Sequence, residues 1–128
     1  IERHAPGDDF VAVENLPRRE YLAVMAGANV MVGNSSSGII EAPSFDLPVV
    51  DIGPRQAGRE RADNTVSVQY ETEAIRDAIE RCLFDENMRQ RAQNSPNPYD
   101  YGGAGKSIVD ELESVEISEE LLRKQLTY

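Results

Sequence analysis

The chain has 128 residues, 40% of them hydrophobic and 28% charged, with a formal net charge of -10 at pH 7. That is one domain's worth of chain, with apolar content for a real core and without the basic surplus that a general nucleic-acid binder presents to phosphate. No apolar run approaches the ~18 residues needed to cross a bilayer and no signal-peptide pattern is present, so the expectation is a cytoplasmic protein with neither nucleic acid nor membrane as partner.

The chain opens on Ile1 and runs straight into a polar stretch, which gives the expectation that it is part of something longer. His4 to Asp9 reads as loop, with turn chemistry at Pro6-Gly7-Asp8-Asp9, and Phe10-Val11-Ala12-Val13 reads as a short buried strand. Asn15 is positioned to cap a helix that tolerates Pro17 in its first turn. Tyr21, Leu22, Val24 and Met25 supply its apolar stripe, and Ala26-Gly27-Ala28 ends it. Asn29 to Val32 is the second predicted strand.

The next stretch, Gly33-Asn34-Ser35-Ser36-Ser37-Gly38, leads from that strand into a helix expected from about Gly38 to Phe45, shortened or kinked by Pro43. Strand, tight turn and helix N-terminus together aim unpaired backbone N–H groups and the positive end of the helix dipole one way, which makes a seat for phosphate. Gly38 lets that backbone approach a ligand, and Ser35, Ser36 and Ser37 supply capping or donor hydroxyls. Glu41, one turn on, is placed to accept from the two hydroxyls of a ribose, so the pattern points to a nucleoside diphosphate rather than free phosphate. A serine-rich turn also serves as a plain helix cap, and the turn alone does not separate the two uses.

Pro48 to Ile52 is a third strand, nearly continuous in apolar residues as buried parallel strands are. Gly53 to Asn64 is a polar loop holding Arg55, Arg59 and Arg61 against one acid, Glu60. This basic island in an acidic chain is either an anion site or solvated charge. Thr65 to Val68 is a fourth strand. Thr72 to Leu83 has helical spacing, with Cys82 among its apolar positions as a small buried hydrophobe that has no intramolecular disulfide partner. Asp85 caps a helix to about Ala92, Asn94 to Pro98 breaks it, Tyr99 to Gly105 is a glycine-rich loop, and amphipathic helices over 107–112 and 118–126 finish the chain.

Strands and helices alternating at these intervals describe a parallel sheet with right-handed crossovers. Ligands of such sheets bind beyond the carboxyl ends of the strands, where both the serine turn and the arginine loop fall. Gly103-Ala104-Gly105-Lys106-Ser107 imitates the tail of a P-loop, but that motif requires a glycine where Asp100 stands and a preceding strand, so an ATPase reading is rejected.

With Gly33-Asn34-Ser35-Ser36-Ser37-Gly38-Ile39, Glu41-Ala42, Pro48-Val49-Val50, Ile52-Gly53, Arg55-Gln56, Gly58-Arg59, Asn97-Pro98-Tyr99, Gly102 and Ala104, the chain resembles the C-terminal half of UDP-N-acetylglucosamine 2-epimerases. The branch it resembles most is the hydrolysing one, which releases N-acetylmannosamine and UDP for sialic acid and related sugars. The resemblance runs from about Phe10 to the last helix and implies an α/β, Rossmann-like three-layer parallel sheet. One domain over 1–128 would form half of a GT-B pair, with helices 107–126 toward an N-terminal half. It implies UDP contacts at Leu16, Ser35, Ser36, Ser37, Gly38, Glu41 and Arg55: diphosphate on Ser35 and Ser36, ribose on Glu41, uracil against the backbone of Leu16.

By the same resemblance the reaction removes the C2 proton, eliminates UDP and adds water to the glycal, with no cofactor or metal. The implied partners are UDP or UDP-N-acetylglucosamine, the protein's own N-terminal domain and further copies of the full-length enzyme. The family's acid–base residues belong to its N-terminal half, and His4 lies outside the matched motifs, as a loop residue. Where the family commonly has Gly-Asp-Gly after Asn-Pro-Tyr, this chain has Asp100-Tyr101-Gly102-Gly103. Alternatives are a non-hydrolysing epimerase giving UDP-N-acetylmannosamine, the C-terminal domain of a GT-B glycosyltransferase, and a non-catalytic nucleotide-sugar sensor.

Overall fold

A computed structural model describes residues 10–123. Three parallel strands, β1 (Met31–Gly33), β2 (Val49–Ile52) and β3 (Thr65–Val68), lie in the order β1-β2-β3 and in a register that sets Gly33, Asp51 and Ser67 side by side. Successive side chains of a strand face opposite ways, so the central strand β2 feeds two cores. Val49 packs with Met25, Ala42 and Leu47 on one face. Val50, and Ile52 beside it, pack with Ala78, Cys82 and Met88 on the other. Helices on both faces of a parallel sheet give the three-layer, Rossmann-like arrangement expected from the sequence.

On the first face lie α1 (Arg18–Gly27), α2 (Ser37–Ile40) and a 3-10 helix, Ala42–Phe45. Pro43 falls near the start of that 3-10 helix, so the predicted helix over 38–45 is split as its proline required. Asp46 closes the segment at φ 53°, a left-handed turn that aspartate accepts more readily than most residues, and Leu47 returns its amide to the Ala42 carbonyl. On the second face lie α3 (Thr72–Phe84) and α4 (Glu86–Asn94), whose N-cap Asp85 accepts from the Asn87 amide at 2.8 Å. Burial pushes the Cys82 thiol up from its ordinary value, opposed by the neighbouring Arg81 charge. The loop 53–64 links β2 to β3 without a helix. It leaves β2 through Gly53 at φ 79°, where a Cβ would lie 2.3 Å from the Tyr70 ring.

Two predicted features are corrected. Phe10 to Val13 is no strand: it is exposed, Val11 at 81%, and pairs with none of the three strands. An apolar tetrad becomes a buried strand only where a ladder and a covering layer meet it, and the described residues bring neither to this segment. Asn15 does not cap α1, because Pro17 stands at the N-cap and offers its carbonyl to the Tyr21 amide. The last helices are α5 (Ala104–Ser114), which begins three residues before the predicted 107, and α6 (Glu119–Leu122). His4, the turn at Pro6 to Asp9 and the predicted helical residues 124–126 lie outside the described residues.

Candidate functional site at the carboxyl edge of the sheet

The turn after β1 begins as the ladder ends. Gly33 is its last paired residue, and Asn34 to Ser36 carry the chain into α2. Within the turn, the Gly38 and Ile39 amides are taken by the carbonyls of Ser35 at 3.2 Å and Ser36 at 3.0 Å. Among the described residues the amides of Ser35 and Ser36 have no acceptor, and the Ser37 amide has only Ser35 Oγ at 3.3 Å. The free donors of the turn are therefore the amides of Ser35 and Ser36. Ser36 is the N-cap of α2 yet makes no side-chain cap bond, so helix capping does not account for its hydroxyl.

Gly38 is buried under the turn. A Cβ there would come within 2.9 Å of Val49 Cγ1, so the glycine lets α2 lie close on β2. Leu16, Ser37 and Glu41 line one hollow of about 570 Å³ with Val13, Asn15 and Tyr21. Glu41 also lines a second hollow of about 270 Å³, together with Asn97, Tyr99 and Asp100. Glu41 is held by Arg18, Nη1 to Oε1 at 3.3 Å, the arginine side chain 72% exposed and the carboxylate 24%. A pair so open to water contributes little and yields easily to another partner.

The arginine island divides by role. Arg55 approaches the turn from the loop after β2, its Nη1 3.5 Å from Asn34 Oδ1. Arg61 turns inward to Asp51 Oδ2 at 2.9 Å, to the Gln56 carbonyl at 2.8 Å and to Ser67 Oγ. Asp51 is almost fully buried, and its contact with Arg61 is ionic without hydrogen-bond geometry. Arg59 is exposed.

Further on, Asn97 donates to the Ile40 carbonyl at 2.9 Å and to Ser44 Oγ at 2.7 Å, and the Tyr99 hydroxyl reaches the Glu60 carbonyl at 3.1 Å. The Asn-Pro-Tyr segment thus ties the glycine-rich loop to both edges of the site. Sequence reasoning gave Arg18, Gln56 and Asp51 no part here. The Arg55-Gln56 pair was visible, but nothing in its spacing marked the glutamine as a contact of the serine turn. The P-loop imitation resolves into Gly103 before α5, with Lys106 paired to Asp110 at 2.7 Å.

A parallel sheet with helices on both faces, a serine turn at its carboxyl edge and an acid beside that turn define a Rossmann-like α/β fold with a candidate site at the β1 and β2 exits. Residues 1–113 match the family described as UDP-N-acetylglucosamine 2-epimerase, and the chain belongs to it. Over all 128 residues it is 33% identical to the UDP-N,N'-diacetylbacillosamine 2-epimerase (hydrolyzing) of Legionella pneumophila, and covers 33% of that protein. To the UDP-N-acetylglucosamine 2-epimerase of Neisseria meningitidis serogroup B it is 39% identical over 75 residues, 59% of this chain and 20% of the relative. To the polysialic acid biosynthesis protein P7 of Escherichia coli it is 40% identical over 80 residues, 62% of this chain and 20% of the relative. The chain thus spans a third or less of the length of these curated relatives.

Proposed function

We propose that this chain is the UDP-binding half of a UDP-N-acetylglucosamine 2-epimerase of the hydrolysing type, the C-terminal member of a GT-B pair, acting in the cytoplasm in the biosynthesis of sialic acid or a related sugar. The observation that carries the reading is that the unpaired amides of Ser35 and Ser36 directly precede Ser37, which lines one hollow with Leu16 and Glu41. The diphosphate takes the amides of Ser35 and Ser36 and the hydroxyls of Ser36 and Ser37, over a turn brought close by Gly38. Glu41 exchanges Arg18 for the ribose hydroxyls, the Leu16 backbone faces the uracil, and Arg55 adds positive charge on the nucleotide side. UDP is the leaving group and departs with the C1–O electron pair, so each contact that stabilises the additional negative charge developing on its terminal phosphate lowers the barrier to elimination as the C2 proton is removed. Water then adds to the glycal. The groups that move protons belong to the remainder of the enzyme.

The N-terminal half is proposed as the cover for α5, whose Ile108, Val109 and Leu112 are exposed. Copies of the full-length enzyme then assemble as a homo-oligomer. The hydrolysing outcome is supported by the similarity to the Legionella relative, a hydrolysing 2-epimerase by name. Incubating the protein as its gene encodes it with UDP-N-acetylglucosamine tests the reading: free UDP and N-acetylmannosamine are expected in equal amounts. UDP-N-acetylmannosamine as product overturns the hydrolysing type, and absence of both products overturns UDP-N-acetylglucosamine as the substrate.

A further inference from the structure

Gln56 is buried, 3% exposed, in a loop whose other side chains largely face water. Its Nε2 donates to the Asn34 carbonyl at 2.7 Å, and its Oε1 has no donor among the described residues. The orientation of the amide is fixed by chemistry, because reversing it would set two acceptor oxygens against each other at that distance. A buried acceptor left unpaired is costly, and the site bears that cost to hold the Nε2 contact. Gln56 is itself anchored. Arg61 Nη2 donates to its carbonyl at 2.8 Å, and Arg61 is fixed by the buried Asp51 of β2 at 2.9 Å. The chain of contacts runs from the middle strand through Arg61 and Gln56 to the carbonyl of Asn34.

That carbonyl belongs to the peptide joining Asn34 to Ser35, and the peptide is planar and trans, so its C=O and N–H point in opposite directions. Holding the Asn34 oxygen toward Gln56 obliges the Ser35 N–H to point away from it. Ser35 is exposed, and its amide has no acceptor among the described residues. We propose that Gln56 is a positioning residue: by holding the Asn34 carbonyl inward it turns the Ser35 amide outward, ready for a phosphate oxygen of a nucleoside diphosphate. This rests on the reading of the serine turn given above and adds to it the device that sets the turn's donor before the ligand arrives. Preorganised donors of this kind cost no rearrangement at the moment of binding.

Gln56→Met keeps the length of the side chain and removes the donor. In the protein as its gene encodes it, calorimetric affinities for UDP and for uridine separate positioning from general damage, because uridine lacks the group that the Ser35 amide serves. UDP binding is expected to fall roughly 10- to 100-fold, the loss typical of one hydrogen bond to a charged group, with uridine binding unchanged. Equal losses for both, or an unchanged preference for UDP, overturn the role of Gln56. A wild-type protein that binds UDP no better than uridine overturns the serine turn as phosphate seat, and the positioning role with it. Hydrogen exchange in the wild type gives a reading even where Gln56→Met fails to fold. The Ser35 amide is expected to exchange fast alone and to gain protection with inorganic pyrophosphate. Protection already present without pyrophosphate, or none gained with it, contradicts the outward orientation.

Discussion

Glu41 stands between two hollows with Arg18 as its partner, and at the scale of the residue this makes it the most exposed test of the ribose assignment. Glu41→Gln keeps the shape and weakens acceptance from ribose hydroxyls, so UDP affinity is expected to fall by about 1–2 kcal/mol while pyrophosphate affinity holds. Calorimetry with both ligands checks it, and equal losses contradict the assignment. Gly38 tests packing beneath the same turn. Gly38→Ala drives a methyl to 2.9 Å from a stiff, β-branched valine on the central strand, and overpacking of this kind costs about 1–3 kcal/mol. A denaturant midpoint equal to wild type would show that α2 has room the structure denies. The serine turn and Glu41 were legible in the sequence because strand, glycine, hydroxyls and acid follow one another within a dozen positions. Gln56 was not legible as a contact of that turn, because its bond to Asn34 spans 22 residues and no local pattern marks a side chain that meets a distant carbonyl.

Among the elements, those with a strong local pattern fell where expected. β3 occupies Thr65–Val68, Asp85 caps α4, and Pro43 divides the segment after the turn. Phe10 to Val13 did not, since four apolar residues state a preference for burial without stating what will cover them. The boundary of α1 moved because Pro17 fixes its own φ and ends the approach to the helix, so the cap falls at the proline and not at the asparagine two residues before it. The link between elements that most invites a test is Asn97, which bonds the Ile40 carbonyl, Ser44 and the Tyr99 amide with one side chain. Asn97→Ala removes all three and is expected to cost about 1–3 kcal/mol, read as a lower thermal midpoint, with increased protease cleavage in the loop 99–103. An unchanged midpoint and cleavage pattern would mean that the loop is held by other contacts.

For the molecule as a whole, the sheet and its two cores leave α5 without a buried residue: it turns Ile108, Val109 and Leu112 outward. Amphipathic spacing made that helix predictable, whereas what faces it was not written in its own residues. If the proposed N-terminal half covers this face, Leu112→Lys in the protein as its gene encodes it costs about 2 kcal/mol, the burial of one leucine, against the few tenths expected at an open surface. A neutral result by chemical denaturation would separate α5 from the interface. The most direct measurement is a crystal structure with UDP bound. The diphosphate is expected on the amides of Ser35 and Ser36 with the Ser36 hydroxyl, and the ribose hydroxyls on Glu41 in place of Arg18. A nucleotide seated elsewhere, with Arg18 still on Glu41 and the Ser35 amide facing the protein, would contradict it.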